Sequence, residues 1–290
     1  MNKTAPILTR FAPSPTGLLH LGHAYAALFA AQVAQKHGGA FLLRIEDIDV
    51  GRCRPEFEDS LYRDLAWLGL TWKMPVRRQS EHMIDYQTAL DQLMGMELLY
   101  PCFCTRKEIL CEIESAQGAP HLPPHGPDGP IYPGTCRKLS HDARLQRIQD
   151  GLPFALRLDM ASAIRRTGPL VWTDLEKGEV IAQPSLFGDV VLARKDTPTS
   201  YHLAVTMDDH IQGVRIVTRG MDLFPATHIH RLLQALLGLD TPDYYHHALL
   251  IMEDGRRMAK RNASKTLHAL RQSGCTLSDI HTLINEALKA

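Results

Sequence analysis

Two histidines three positions apart, His20 and His23, close the stretch RFAPSPTGLLHLGH that begins at Arg10. Residues i and i+3 are neighbours on a helix, so the two rings share one face if a helix begins there. Each imidazole can donate a hydrogen bond to a phosphoryl oxygen. A turn between a strand and a helix is also where α/β proteins bind nucleotides, because backbone N–H groups at the helix start favour anions. Gly17 and Gly22 have the spacing of a P-loop, but His23 and Ala24 follow where that motif requires Lys and then Ser or Thr. No G-x-G-x-x-G fingerprint is present. Gly22 lets an adenosine approach the backbone closely. Taken by themselves, two histidines are also accounted for by a satisfied helix cap.

The cysteines form a second constellation. Cys102-Phe103-Cys104 stands at the base of the Pro/Gly-rich run SAQGAPHLPPHGPDGPIYPGT, and Cys136 follows it. A structural zinc takes four ligands in a tetrahedron and prefers thiolates. Three thiolates and a fourth group would anchor a loop that lacks a core of its own. Tyr132, Cys111, His121 and His125 are the candidate fourth ligands, and free core thiols are the alternative. A third cluster is EDGRRMAKRNASK, which carries Arg256, Arg257, Lys260, Arg261 and Lys265. Alone it reads as a solvated basic loop or an RNA-attracting patch.

The elements that would position these groups follow a β-α-β-α order. PILTRFA is a short buried strand, LGHAYAALFAAQVAQKHGG a helix stopped by Gly38 and Gly39, and AFLLRIED a second strand. RPEFEDSLYRDLAWLGL is a helix with Pro55 at its first position and acids in its first turn. Further on, YHLAVTMDD and GVRIVTRG read as strands, ATHIHRLLQALLGL as a helix, and the chain from Thr241 as a helical tail. Strands alternating with helices predict an α/β fold, a Rossmann-like doubly wound parallel sheet. The expected units are a first half (1–100), an insertion (101–195), a second half (196–240) and a helical segment (241–290).

The 290 residues are 44% hydrophobic and 22% charged, ordinary for a globular protein with a sizeable core. Lys plus Arg and Asp plus Glu both number 32, so a nucleic-acid partner would have to be held by a local patch. The first residues, MNKTAPILTR, carry no apolar signal region, and no long apolar run predicts a membrane span. The cytoplasm is the expected compartment, and the six cysteines are expected as thiols or metal ligands.

The surroundings of the histidines carry a resemblance. HLGH after PSPTG resembles the HIGH signature of class I aminoacyl-tRNA synthetases, and the full RFAPSPTGLLHLGH resembles their glutamyl branch. LRIEDID at 43–49, SYHLAVTMDD at 200–209, TRGMDL at 218–223 and RMAKR at 257–261 follow in that family's order, the last as a KMSKS-like loop. Arg257 and Ala259 depart from the family pattern, which has Lys and Ser there.

The resemblance implies that His20, His23 and Lys260 are catalytic, acting with Gly22 on the phosphates of ATP, with Mg2+ as its companion ion. It implies an L-glutamate pocket from Arg10, Phe11, Ala12, Pro13, Ser14, Glu46, Tyr201 and Arg219. Arg10 and Arg219 would serve the side-chain carboxylate, Glu46 the amino group, and Tyr201 would add a hydroxyl. Guanidinium forks suit carboxylates, as an acid suits an ammonium. CFCT followed by YPGTC resembles the zinc site of the short glutamyl-synthetase paralogues, which implies one structural Zn2+ on Cys102, Cys104, Tyr132 and Cys136.

Only 29 residues follow Arg261, so no anticodon-binding domain is expected. The short paralogues join glutamate to the queuosine wobble nucleoside of tRNA(Asp), and that is the implied activity, in a monomer. A truncated glutamyl synthetase charging the tRNA 3′ end and a non-catalytic zinc-containing RNA-binding paralogue are the alternatives.

Overall fold

A computed structural model describes residues 6–116, 125–250 and 266–289. The first half of the chain lays down β1 (Leu8–Phe11), α1 (Leu21–Lys36), β2 (Ala40–Ile45), α2 (Pro55–Trp67), β3 (Lys73–Arg78) and α3 (Met83–Gly95). β1, β2 and β3 form one parallel sheet in that order. β2 is nearly all apolar and buried, as a parallel strand covered on both faces must be. α1 lies close on this sheet because its inner face is largely alanine: Ala24, Ala27, Ala30 and Ala34 are buried. Thr9 Oγ1 donates to the Ala30 carbonyl at 2.8 Å across that contact. The turn into β2 is possible only with glycine, since a Cβ on Gly39 would stand 1.9 Å from the Ile7 carbonyl oxygen.

The middle of the chain holds β4 (Leu99–Cys102), α4 (Arg106–Ala116), β5 (His125–Gly126), β6 (Gly129–Pro130), α5 (His141–Gln149), β7 (Ala155–Leu158), α6 (Met160–Thr167), β8 (Val171–Asp174), β9 (Gly178–Ile181) and β10 (Val191–Ala193). β4, β7 and β10 make a small antiparallel sheet. The β8–β9 hairpin instead joins a second parallel sheet.

The last elements are α7 (Tyr201–Ile211), β11 (Ile216–Gly220), α8 (Ala226–Leu237), β12 (Asp243–His247), α9 (Leu267–Gln272) and α10 (Leu277–Lys289), of which β11 and β12 complete that sheet. β11 pairs with β12 and β12 with β8, both in parallel. The Arg215 amide donates to the Leu8 carbonyl at 2.9 Å, so β1 and β11 lie side by side. The chain therefore winds outward from this seam in both directions. Such a switch point, at the carboxyl ends of the strands, is where open α/β sheets take ligands.

Two sequence expectations are corrected here. YHLAVTMDD is not a strand but α7. Its Tyr, Val and Thr favour strands. Ser200, however, caps a helix by accepting from the Leu203 amide, and burying Ala204 with Asp208 and Val205 with Asp209 follows helical spacing. The segment after Thr241 is not wholly helical either. Asp243–His247 is a strand of the parallel sheet, whose aromatic and histidine side chains disguise its alternation. Among the described residues, no helix is long and apolar enough to cross a membrane.

Candidate active site

His20 is the N-cap of α1, and His23 is its N3 residue. The Gly22 amide donates to His20 Nδ1 at 3.1 Å, and the His20 amide donates to His23 Nδ1 at 3.2 Å. The two rings lie 3.8 Å apart between centroids. The cap reading and the phosphate reading of these histidines are thus compatible. With both Nδ1 atoms accepting, a neutral ring carries its proton on Nε2, so the cap fixes the tautomer of each imidazole as an Nε2–H donor. Gly22 serves the ring itself: a Cβ there would stand 3.0 Å from His20 Cε1.

The loop between β1 and α1 is tied down at several points. Pro13 accepts from the Glu46 amide at 3.0 Å, Pro15 from the Arg54 amide at 3.1 Å, and Ser14 from the Thr16 amide at 2.8 Å. Phe11 and Pro13 are buried, Ala12 is half-buried, and Ser14 is exposed. This brings Ser14 and Glu46, from two different motifs, to one strand end.

Beneath the loop lies a web of buried charges that the sequence reading did not assign. Arg10 donates to both oxygens of Asp209, at 2.9 and 3.4 Å, and to the Thr218 carbonyl at 2.8 Å. Arg44 is fully buried and donates to Asp209 at 2.7 Å, Gln212 at 3.1 Å and Glu46 at 3.1 Å. Asp208 accepts from Arg77 at 2.7 Å, Gln79 at 2.8 Å and Tyr86. Burial opposes the charge on Asp209, yet Arg10 and Arg44 hold its carboxyl below the usual range. Glu46 is different: burial pushes its carboxyl up, against the pull of Arg44 and Arg10. An ammonium group beside it would favour its ionised form.

Arg219, from the end of β11, has a different company. Its Nε donates to His246 Nε2 at 3.2 Å, its Nη1 to His230 Nδ1 at 3.0 Å, and its Nη2 to Thr227 Oγ1. Its guanidinium also lies 5.2 Å from the centre of the Tyr244 ring. Burial and then the Arg219 charge push His246 down to about 4 and His230 well below the usual imidazole range. Both rings are therefore neutral at pH 7. Tyr201, the first residue of α7, packs 5.7 Å from the His230 ring, and burial raises its hydroxyl pKa. Arg219, Glu46, Arg10 and Asp209 all act electrostatically on Tyr201.

Cys102, Cys104 and Cys136 place their Sγ atoms within 4.8 Å of one another. The Cys104 and Cys136 sulfurs are 3.4 Å apart, too far for a disulfide. Tetrahedral zinc–thiolate geometry sets sulfurs about 3.8 Å apart. The Tyr132 hydroxyl lies 3.6 Å from Cys104 Sγ and accepts from the Cys136 amide at 2.8 Å. Cys102, Cys136 and Tyr132 are buried. Burial pushes the Cys104 thiol up to about 12, a shift that a bound divalent cation reverses. Three soft sulfurs and one phenol oxygen fit a zinc ion. Among the described residues, Cys111 and His125 do not join this cluster. His121 lies outside the described residues, as do Lys260 and the RMAKR stretch. Thr266, six positions after Lys260, forms an isolated bridge with His20, and the Leu267 amide donates to the Leu19 carbonyl at 2.8 Å.

Residues 6–280 match the family model described as tRNA synthetases class I (E and Q), catalytic domain. A Rhodobacter capsulatus protein named glutamyl-Q tRNA(Asp) synthetase is 47% identical over 96% of this chain and 99% of its own length. A glutamate–tRNA ligase of Coprothermobacter proteolyticus is 37% identical over 94% of this chain, which spans only 56% of that ligase. A glutamate tRNA ligase from Elizabethkingia meningosepticum, solved in complex with its amino acid, superimposes with a TM-score of 0.75 at 27% identity. That match covers 90% of this chain and 53% of the ligase.

Proposed function

The chain belongs to the class I tRNA synthetases of the E and Q branch and is a ligase, and from that premise we propose that it activates L-glutamate with ATP and transfers it to the queuosine wobble nucleoside of tRNA(Asp). The observation that carries the choice of glutamate is Arg219, a buried guanidinium whose hydrogen-bond partners among the described residues are all uncharged. A buried cation held this way is completed by a ligand carboxylate. Arg10 shares its charge with Asp209, so Arg219 carries the larger part of carboxylate recognition. Glu46 faces the amino group, Ser14 and the backbone of Phe11, Ala12 and Pro13 line the amino acid, and Tyr201 adds its hydroxyl.

In the first step a carboxylate oxygen of glutamate attacks the α-phosphorus of ATP, and pyrophosphate leaves with its bond electrons. The Nε2–H groups of His20 and His23 stabilise charge that builds on the phosphates as this happens. Gly22 keeps His20 in place, Lys260 serves the leaving pyrophosphate, and Mg2+ accompanies the nucleotide. In the second step a hydroxyl of the acceptor attacks the acyl carbon and AMP departs. Cys102, Cys104, Tyr132 and Cys136 would hold one structural zinc, which would tie the end of β4 to the turn around Cys136.

The acceptor rests on the relatives' name and on chemistry. Queuosine carries two adjacent ring hydroxyls, as the terminal ribose of tRNA does, so either can meet the same adenylate. The test charges tRNA(Asp) with and without queuosine using labelled glutamate and then separates nuclease fragments. Label in the anticodon fragment of the queuosine-bearing tRNA alone is expected. Label on the terminal adenosine would instead support 3′ charging, the reading favoured by the 37% identity to a glutamate–tRNA ligase.

A further inference from the structure

Arg219 and Arg10 are both buried arginines at the ends of neighbouring strands, yet they are held in opposite ways. Arg10 lies in a two-pronged pair with a carboxylate. Arg219 places three of its N–H groups on two imidazoles and a hydroxyl. Guanidinium only donates. His230 Nδ1 and His246 Nε2 must therefore accept, and each neutral ring carries its proton on the other nitrogen. Those protons have matching acceptors. His230 Nε2 lies 3.2 Å from His202 Nδ1, and His246 Nδ1 lies 2.7 Å from Asp174 Oδ2. Asp174 stands one ring away from the guanidinium, and its other oxygen accepts from the amides of Glu176 and Lys177, each at 3.0 Å.

We propose that His230 and His246 are positioning residues that fix Arg219 without neutralising it, and thereby set the pocket's preference for a carboxylate over a carboxamide. The inference rests on the glutamate reading above. A carboxylate at either histidine position would aim Arg219 equally well, but it would supply inside the protein the charge that the substrate otherwise brings. The neutral ring aims the fork and leaves the charge. The low-polarity surroundings, with the Tyr244 ring 5.2 Å from the guanidinium, strengthen whatever electrostatic contact the ligand then makes. A neutral amide in the same place gains less from the charge, and discrimination follows from that difference.

The test has two arms on the full-length chain. In the first, 15N NMR of the imidazoles at pH 7 without ligand reports the tautomers. His230 with its proton on Nε2 and His246 with its proton on Nδ1 are expected. An imidazolium, or the reverse tautomer at either ring, would overturn the assignment whatever the activity. In the second, ATP–pyrophosphate exchange is measured with glutamate and with glutamine for His230→Asn and His230→Asp. The Asn side chain offers a neutral oxygen near the Nδ1 position and should keep the glutamate-to-glutamine ratio. The Asp variant should lower that ratio about 10- to 100-fold, through KM for glutamate more than through kcat. Equal ratios in the two variants would reduce His230 to a packing role and sink the proposal. If the NMR arm succeeds while the parent chain shows no glutamate-dependent exchange, the glutamate reading fails and the tautomer assignment stands.

Discussion

Replacing Asp209 with Asn tests whether the buried charge web holds the two halves of the site together. The carboxylate receives three charge-assisted hydrogen bonds, from Arg10 at 2.9 and 3.4 Å and from Arg44 at 2.7 Å. The partners are unequal in what they retain. Arg44 keeps Glu46 at 3.1 Å and Asp208 at 3.7 Å, whereas Arg10 keeps the Thr218 carbonyl. The loss therefore falls mainly on Arg10, left as a buried cation without its counter-charge. Breaking a buried pair from one side costs about 3–5 kcal/mol, and the remaining amide oxygen puts the expectation near the lower end, about 3 kcal/mol. Urea unfolding followed by circular dichroism at pH 7 measures it, with an unchanged slope marking an unchanged native state. The pH dependence gives a second check. Because the folded carboxyl is held below its usual value, its stabilisation is fully present above about pH 4 and is lost as pH falls through the depressed folded value. The gap between parent and variant should thus stay flat from about pH 8 to about pH 5 and close only in stronger acid. A loss below about 1 kcal/mol at pH 7 would mean that water screens the web as it does a surface pair, and the reasoning would fail.

Two further outcomes follow from the geometry. Metal analysis of the purified chain should find one zinc per chain, and Cys136→Ala should abolish it and lower the melting temperature; full zinc in that variant would remove Cys136 from the ligand set. Gly22→Ala places a methyl 3.0 Å from His20 Cε1 and 3.1 Å from Nδ1, so the ring that accepts from the Gly22 amide must give by a few tenths of an ångström. Pyrophosphate exchange should fall about 10-fold or more with little change in melting temperature, and undiminished exchange would dissociate the ring position from adenylate formation.

The parts of the site that a reader of the sequence could find were those announced by local punctuation. His20 and His23 follow a Pro-broken loop, and they proved to be the N-cap and N3 of α1. Arg10, Glu46 and Arg219 stand where strands end. Cys102, Cys104 and Cys136 carry their spacing in plain view, although preferring Tyr132 over Cys111, His121 and His125 as the fourth ligand needed the family resemblance. What stayed hidden was long-range. Arg44 and Asp209 lie inside the quoted motifs LRIEDID and SYHLAVTMDD, but their partnership spans 165 positions and leaves no periodic trace. His230 and His246 looked like ordinary members of a helix and a tail until α8 and β12 brought them to Arg219. The misread α7 has the same origin: Tyr201–Ile211 is rich in strand-forming residues, and its helical state is set by a serine cap and by what its buried face must reach.

The pairing of Arg10 with Asp209 also bears on how the chain acquires its structure. The two residues are 199 positions apart, and at about 5–20 residues per second of synthesis the acid emerges about 10–40 s after the base. During that interval the β1-α1-β2 unit contains two arginines, Arg10 and Arg44, whose native burial lacks its principal counter-ion. The native surroundings of Arg10 and Arg44 are therefore complete only when a residue of α7 is present. Long-separated contacts of this kind slow folding by the entropy of closing the loop between them. The seam between β1 and β11 accordingly joins parts of the chain whose contacts carry a high loop-closure cost.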